Sequence, residues 1–275
     1  MNVLDLFSGI GGFSLGLERA GMKTVAFCEC DPYCQAVLRK HWPAVPVFGD
    51  VRTLTAEALG GIDVVCGGFP CQDISVAGKG AGLDGERSGL WSEFARIIGE
   101  VRPRYAIVEN VSALLGRGLS RVLGDLASLG YDAEWHCIPA CAVGAPHRRD
   151  RVWIIAYTDS EPVRDNRRAP VVGAARPDQG KRHQRQWIWS DIAANNSCAD
   201  VADADCPVLE GQCLASRISQ ERDSVSRAGW WLSEPDVGRV ANGVSNRVDR
   251  LRALGNAIVP QIAEIIGRAI LTAEL

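Results

Sequence analysis

Over its first 157 residues the chain alternates short apolar runs with amphipathic stretches, and glycine-rich or polar turns separate the two. Residues 3–7, 23–28, 45–48, 62–65, 105–108, 131–138 and 151–156 read as strands. Residues 13–20, 88–101 and 119–129 read as helices, as does a stretch starting at Asp31-Pro32. Asp31 caps free N–H groups and Pro32 suits a first helical turn, while Gly130 closes the 119–129 helix. Strands separated by helices are joined by crossovers rather than hairpins. The pattern therefore predicts an α/β fold, a mostly parallel sheet with helices on both faces.

The rest of the chain has a different texture. Residues 158–235 are rich in Asp, Asn, Arg, Ser, Gly and Pro and show no sustained period. Trp187-Ile188-Trp189 and Trp230-Trp231-Leu232 are the substantial apolar anchors there, so a small domain of loops and short strands, or a partly disordered insert, is expected. In the tail, Ile258, Ile262, Ile265, Ile266 and Ile270 fall at near-helical spacing, and 257–271 should return as a helix to the first sheet. The expected organisation is a catalytic and cofactor-binding domain at 1–157, a small domain at 158–238 and a returning segment at 239–275.

A chain of 275 residues buries enough surface for one large domain with a small appendage. No apolar run is long enough for a bilayer, and Met1-Asn2-Val3-Leu4-Asp5 does not read as a secretory signal. The ten cysteines read as mostly buried thiols of a reducing cytoplasm. The net charge of −3 argues mildly against a nucleic-acid partner. Its distribution argues the other way: residues 147–185 carry ten Arg and Lys against five Asp and Glu, enough for a local basic face.

Five strand ends carry candidate chemistry. The first is Phe7-Ser8-Gly9-Ile10-Gly11-Gly12, where glycines let the backbone approach a bound group. It lacks the third glycine of the dinucleotide fingerprint, and a packing turn explains it equally well. Glu29 ends the second strand and Asp50 follows the third. An acid after strand two suits ribose hydroxyls, and a carboxylate near the third strand accepts from an adenine amine. Either alone is better read as a solvated loop acid; together with the glycine turn they point to an adenosyl site. The fourth strand end belongs to Cys66-Gly67-Gly68-Phe69-Pro70-Cys71-Gln72, and Glu109-Asn110-Val111 ends the run at 105–108. A thiol, a carboxylate and a glycine turn thus share the carboxyl edge of one sheet, where open α/β folds place their ligands.

Pro70-Cys71-Gln72, then Glu109-Asn110-Val111, then His147-Arg148-Arg149-Asp150-Arg151 before a strand, and Leu254-Gly255-Asn256 near the end resemble, in that order, the C5-cytosine DNA methyltransferases. The resemblance covers residues 3–157 and about 239–270. It implies a Rossmann-like fold, with 158–238 as a small irregular target-recognition domain. It also implies transfer of a methyl group from S-adenosylmethionine to C5 of a flipped-out cytosine in double-stranded DNA. Phe7, Gly9, Gly11, Glu29, Asp50, Pro70, Leu90 and Asn256 would line the cofactor site; Asn256 is equally read as a helix N-cap. Cys71 would attack C6, since a thiolate is both a strong nucleophile and a good leaving group. Glu109 would donate to N3, Arg151 would contact O2, and Arg149 would position DNA or a loop. His147 stands where the family has Gln. The glycine-rich stretch after the thiol would close on DNA with Gln72, Ser75, Lys79 and Arg87. No metal is expected. A cytoplasmic monomer follows from the same resemblance, with a cognate restriction endonuclease as a further partner. The same chemistry on tRNA, or a catalytically silent DNA-binding relative, are the alternative readings.

Overall fold

A computed structural model of the chain describes residues 1–70, 89–145, 147–158 and 247–274. The expectations for Cys71, Gln72, Ser75, Lys79, Arg87 and nearly all of 158–238 lie outside these residues. Seven strands form one sheet: β1 (Asn2–Leu6), β2 (Lys23–Cys28), β3 (Val47–Phe48), β4 (Val64–Gly67), β5 (Tyr105–Val111), β6 (Asp132–Ile138) and β7 (Arg151–Tyr157). Their spatial order is β3-β2-β1-β4-β5-β7-β6. The β1–β2, β1–β4, β2–β3 and β4–β5 pairs are parallel. Strand β7 runs antiparallel to both neighbours. The link from β6 to β7 carries no long helix, and a connection of that kind joins antiparallel strands.

The helices are α1 (Gly12–Ala20), α2 (Pro32–His41), α3 (Leu90–Val101), α4 (Leu114–Arg117), α5 (Leu119–Ser128), α6 (Arg247–Asn256) and α7 (Pro260–Ala273). Alternate residues of each central strand face opposite layers, so two cores form. Leu4, Leu6, Val65, Ala106, Val108, Ile154 and Ala156 pack under Trp91, Phe94, Ile97 and Ile98 of α3 and Val122 and Leu126 of α5. Val3, Val64, Ile107, Trp153 and Ile155 pack under Phe13 and Leu17 of α1 and Ile262, Ile266 and Ile270 of α7. Each such aliphatic or aromatic side chain contributes about 1.5–3 kcal/mol when removed from water.

Strand boundaries shift where pairing decides them. The β5 strand continues past 108 because β7 opposes Glu109, Asn110 and Val111 with Trp153, Val152 and Arg151. The β4 strand extends to Gly67 because this residue has no side chain; a Cβ there would lie 2.3 Å from the Leu6 carbonyl oxygen on β1. Asp31 caps α2 as expected, accepting from the N–H groups of Tyr33 and Cys34.

The tail differs from expectation in two respects. Residues 257–259 are not helical, and α7 starts at Pro260, since a residue before proline disfavours the helical region. The helix α6 precedes it, and Asn256 is the last residue of α6 rather than the cap of the next helix, whose cap position is Val259. By length and mean hydropathy, residues 248–273 reach the range of a membrane span. The stretch is nevertheless interrupted between α6 and α7, and Ile262, Ala263, Ile266 and Ile270 are buried against α1 and the sheet. Its α7 half is a core element, while Val248, Leu251 and Leu254 of α6 are exposed.

Close approach of α7 to α1 depends on glycines. A Cβ at Gly16 would lie 2.2 Å from the Pro260 carbonyl oxygen, and one at Gly267 would lie 2.8 Å from the Ala20 Cβ. This contact brings the end of the chain beside β1. The strand order reverses direction between β1 and β4, which opens the crevice where α/β sheets bind ligands.

Candidate active site

The turn after β1 is held open by backbone geometry. Phe7, Gly9 and Gly11 all have positive φ, at 52°, 54° and 85°. A Cβ at Gly9 would meet nothing within 4 Å, so the space beside it is free for a ligand. A Cβ at Gly11 would strike the Trp42 ring at 2.7 Å, so that glycine serves packing. Glu29 at the end of β2 reaches across to this turn. One carboxylate oxygen accepts the Gly9 N–H at 2.7 Å and the other accepts the Asp31 N–H at 2.8 Å. Each oxygen retains a lone pair for a further donor.

Asp50 lies farther out. Its carboxylate takes a two-point ion pair from Arg52, with Nε to Oδ1 at 3.0 Å and Nη2 to Oδ2 at 2.9 Å. Arg52 holds its pKa below the usual carboxylate range. Leu90 begins α3 and packs partly against the core under α3 and α5. An open glycine turn with acceptor carboxylates beside it fits an adenosyl group, whose hydroxyls and amine are donors.

The opposite side of the crevice is built by β4, β5 and β7. Glu109 is 8 % exposed, and its carboxylate stands 3.1 Å from Arg151 Nε. Burial pushes its pKa up to about 7, against the pull of Arg151 and then Arg149. Arg151 is itself fixed by donating through Nη1 to the Asp150 carbonyl at 2.8 Å. A Cβ at Gly68 would lie 2.9 Å from Glu109 Oε2, so the carboxyl rests against the backbone leading to Pro70 and Cys71. The neighbouring Asn110 donates from Nδ2 to the Phe69 carbonyl at 3.1 Å and accepts the Val111 N–H through Oδ1. The β5 strand therefore holds both the acid and the approach to the thiol.

Arg149 has a different environment. It sits in the loop before β7 with φ 42°, and its Nη2 donates to the Gly255 carbonyl at 2.8 Å and the Ala257 carbonyl at 2.7 Å. These carbonyls flank Asn256, which is exposed at the end of α6. His147 is exposed, and Arg148 pairs with Asp150 at 2.8 Å.

The sequence reading gave no role to Asp5, which is fully buried on β1. Ser14 donates to its Oδ2 from both Oγ at 2.8 Å and N at 3.3 Å, which ties β1 to the first turns of α1. Burial pushes its pKa up to about 8. The available signal was an acid within the apolar run 3–7, since a charge there must be paired or neutralised. Among the described residues no group of three or more His, Cys, Asp or Glu is placed to hold a metal ion.

Comparison with known proteins agrees with this geometry. The family model for C-5 cytosine-specific DNA methylases matches residues 1–222. The chain is 39% identical over 170 residues to the Type II methyltransferase M2.BsuMI of Bacillus subtilis, covering 59% of this chain and 43% of that protein. It is 34% identical over 241 residues to the Type II methyltransferase M.Eco47II of Escherichia coli, covering 85% and 55% respectively. Among solved structures it is similar to a candidate DNA modification methyltransferase encoded within an E. coli prophage, at 30% identity and a TM-score of 0.50. That likeness covers 57% of this chain and 46% of the other. The chain spans about half the length of the curated relatives it matches. The matched stretch runs through the Gly9 turn, Glu29, the strand bearing Glu109 and the strand bearing Arg151, and on this evidence the chain belongs to the C-5 cytosine-specific DNA methylase family.

Proposed function

We propose that this protein is a DNA (cytosine-5)-methyltransferase that acts through a covalent adduct between Cys71 and C6 of a flipped-out cytosine. The observation that carries the reading is the buried Glu109 carboxyl, paired with Arg151 and pressed against Gly68, three residues before the thiol. A target base inside a duplex is out of reach, so the substrate enters extrahelically. The Cys71 thiolate adds to C6, and the ring electrons move so that C5 becomes nucleophilic. Glu109, with a pKa near 7, holds a proton long enough to donate it to N3 and offset the charge developing in the ring. Arg151 lies beside it and is proposed to hold the cytosine O2. When bound, S-adenosylmethionine supplies the electrophilic methyl group that C5 takes. Solvent water takes the C5 proton, the thiolate leaves C6 and N3 returns its proton to Glu109, which restores the ring and frees Cys71.

The cofactor is proposed to sit over Gly9, with Glu29 on the ribose, Asp50 towards the adenine, and Phe7, Gly11, Pro70, Leu90 and Asn256 around it. Residues 158–238 are proposed to read the DNA sequence, and Gln72, Ser75, Lys79 and Arg87 to grip its backbone. The protein is proposed to act as a cytoplasmic monomer, with a restriction endonuclease of the same specificity as a partner. The test is incubation of the purified protein with isotope-labelled S-adenosylmethionine and unmethylated DNA, with tRNA and a Cys71→Ser variant as controls. Label at cytosine C5 of DNA that disappears with Cys71→Ser is the expected result. Label on tRNA alone, or transfer that survives Cys71→Ser, overturns the reading.

A further inference from the structure

The Gly255 and Ala257 carbonyls lie at the junction of α6 and α7, just before Ile258 and Val259, which pack against the core shared by α1 and α7. Residues 257–259 are outside both helices; the Ala257 N–H donates to the Leu254 carbonyl at 3.3 Å and the Val259 carbonyl accepts the Ile262 N–H at 3.1 Å. Two arginines reach the region. Arg252 of α6 lies 3.4 Å from Asp31, the residue whose N–H is accepted by Glu29. Arg149 enters from the other side and spans Gly255 and Ala257 with one nitrogen. Its φ of 42° is in the left-handed region, which a non-glycine residue rarely adopts. Two residues on, Arg151 holds Glu109.

We infer that Arg149 is a positioning residue that fixes the Asn256 loop of the adenosyl site to the Arg151–Glu109 pair of the base site. The inference rests on the proposed function, because it needs Asn256 at the cofactor and Glu109 at the base. It separates the two arginines of one motif: Arg151 faces the substrate, while Arg149 acts through the loop behind the cofactor. Binding at either end is then felt at the other, and by linkage the effect is reciprocal.

The experiment uses the full chain. Binding of S-adenosylmethionine is measured by calorimetry for wild type, Arg149→Ala, Arg149→Lys and Arg268→Ala, with duplex DNA binding measured separately without cofactor. Arg268 donates from α7 to the Arg19 carbonyl away from the site, so it reports general loosening of the tail. Arg149→Ala should weaken the cofactor about tenfold or more, as loss of hydrogen bonds from a charged donor does. Arg149→Lys should restore part of the loss, Arg268→Ala should leave cofactor binding unchanged, and DNA binding without cofactor should stay the same. The fall in rate as Glu109 loses its proton should move to higher pH in Arg149→Ala, since a neighbouring cation is gone. Unchanged cofactor binding in Arg149→Ala, an equal loss in Arg268→Ala, or a loss confined to DNA binding overturns the inference. Wild-type protein that binds no S-adenosylmethionine would instead refute the adenosyl site itself.

Discussion

Glu109 on β5 and Arg151 on β7 form an ion pair at 3.1 Å between diagonal positions of an antiparallel ladder, since Glu109 stands opposite Trp153 and Arg151 opposite Val111. The pair is mostly buried, and its two effects on the carboxyl oppose one another. Burial raises the pKa and Arg151 lowers it, with burial prevailing at about 7. Methyl transfer should therefore lose rate as pH rises through about 7, because the protonated form is the donor. Glu109→Gln should abolish that limb and slow transfer by about 10²-fold or more, the usual scale of a general acid. Arg151→Gln should move the limb upward, as burial then acts unopposed. Single-turnover rates on duplex DNA from acid to alkaline pH check all three, and an unchanged limb in Glu109→Gln would remove the residue from the mechanism.

The β4 loop is tethered to β5 through Asn110, which donates to the Phe69 carbonyl two residues before Cys71. Asn110→Ala releases that carbonyl without touching the acid. A nucleophile misplaced by a fraction of an ångström loses rate rather than binding, so kcat should fall about 10–10²-fold with little change in cofactor affinity. Burst kinetics with a fluorinated cytosine duplex, which traps the adduct, would show slower adduct formation. An unaltered adduct rate contradicts the tether.

The strand–helix alternation in the sequence was enough for the layered α/β architecture, because apolar periodicity and the Asp31-Pro32 start are local signals. What eluded it was set by partners distant in sequence. The β4 strand reaches Gly67 only because the Leu6 carbonyl must come close, and β5 reaches Val111 only because β7 pairs with it. The helix α6 was missed since its residues are mainly polar and arginine-rich, with Val248, Leu251 and Leu254 exposed. The motifs singled out Glu109, Arg149 and Arg151, but spacing alone gives no way to see that Arg149 turns towards Gly255 and Ala257.

Glycine substitutions in two helices should act with opposite sign. A Cβ at Gly16 would lie 2.2 Å from the Pro260 carbonyl oxygen and 2.7 Å from the Ala263 Cβ, both on α7. Gly16→Ala must push the helices apart, at a cost of about 1–3 kcal/mol that exceeds the helix propensity gained. Gly124 within α5 has nothing within 4 Å of a Cβ, so Gly124→Ala should stabilise by about 0.5–1 kcal/mol. Urea denaturation of both variants decides the matter. Stabilisation by Gly16→Ala would mean that the helix contact is looser than described.

The last prediction concerns Asp5, buried on β1 with Ser14 donating to its Oδ2. Its pKa is pushed up from 3.8 to about 8 by burial, which outweighs the Ser14 hydrogen bonds. The sign follows from linkage: the folded state binds this proton more tightly than the unfolded chain does. Its contribution to stability is thus fully present below the unfolded pKa and is lost as pH rises towards the folded value. Between about pH 4 and 8 the native state should therefore lose stability from this residue, in contrast to the gain given by salt-bridged carboxylates over acid pH. Asp5→Asn keeps the shape and one acceptor for Ser14 but cannot ionise. The variant should show a flatter dependence of unfolding free energy on pH across neutrality, and above about pH 8 it should be the more stable of the two proteins. Denaturant midpoints at successive pH values test this directly, and parallel curves for the two proteins would show that Asp5 ionises at its ordinary pKa inside the fold.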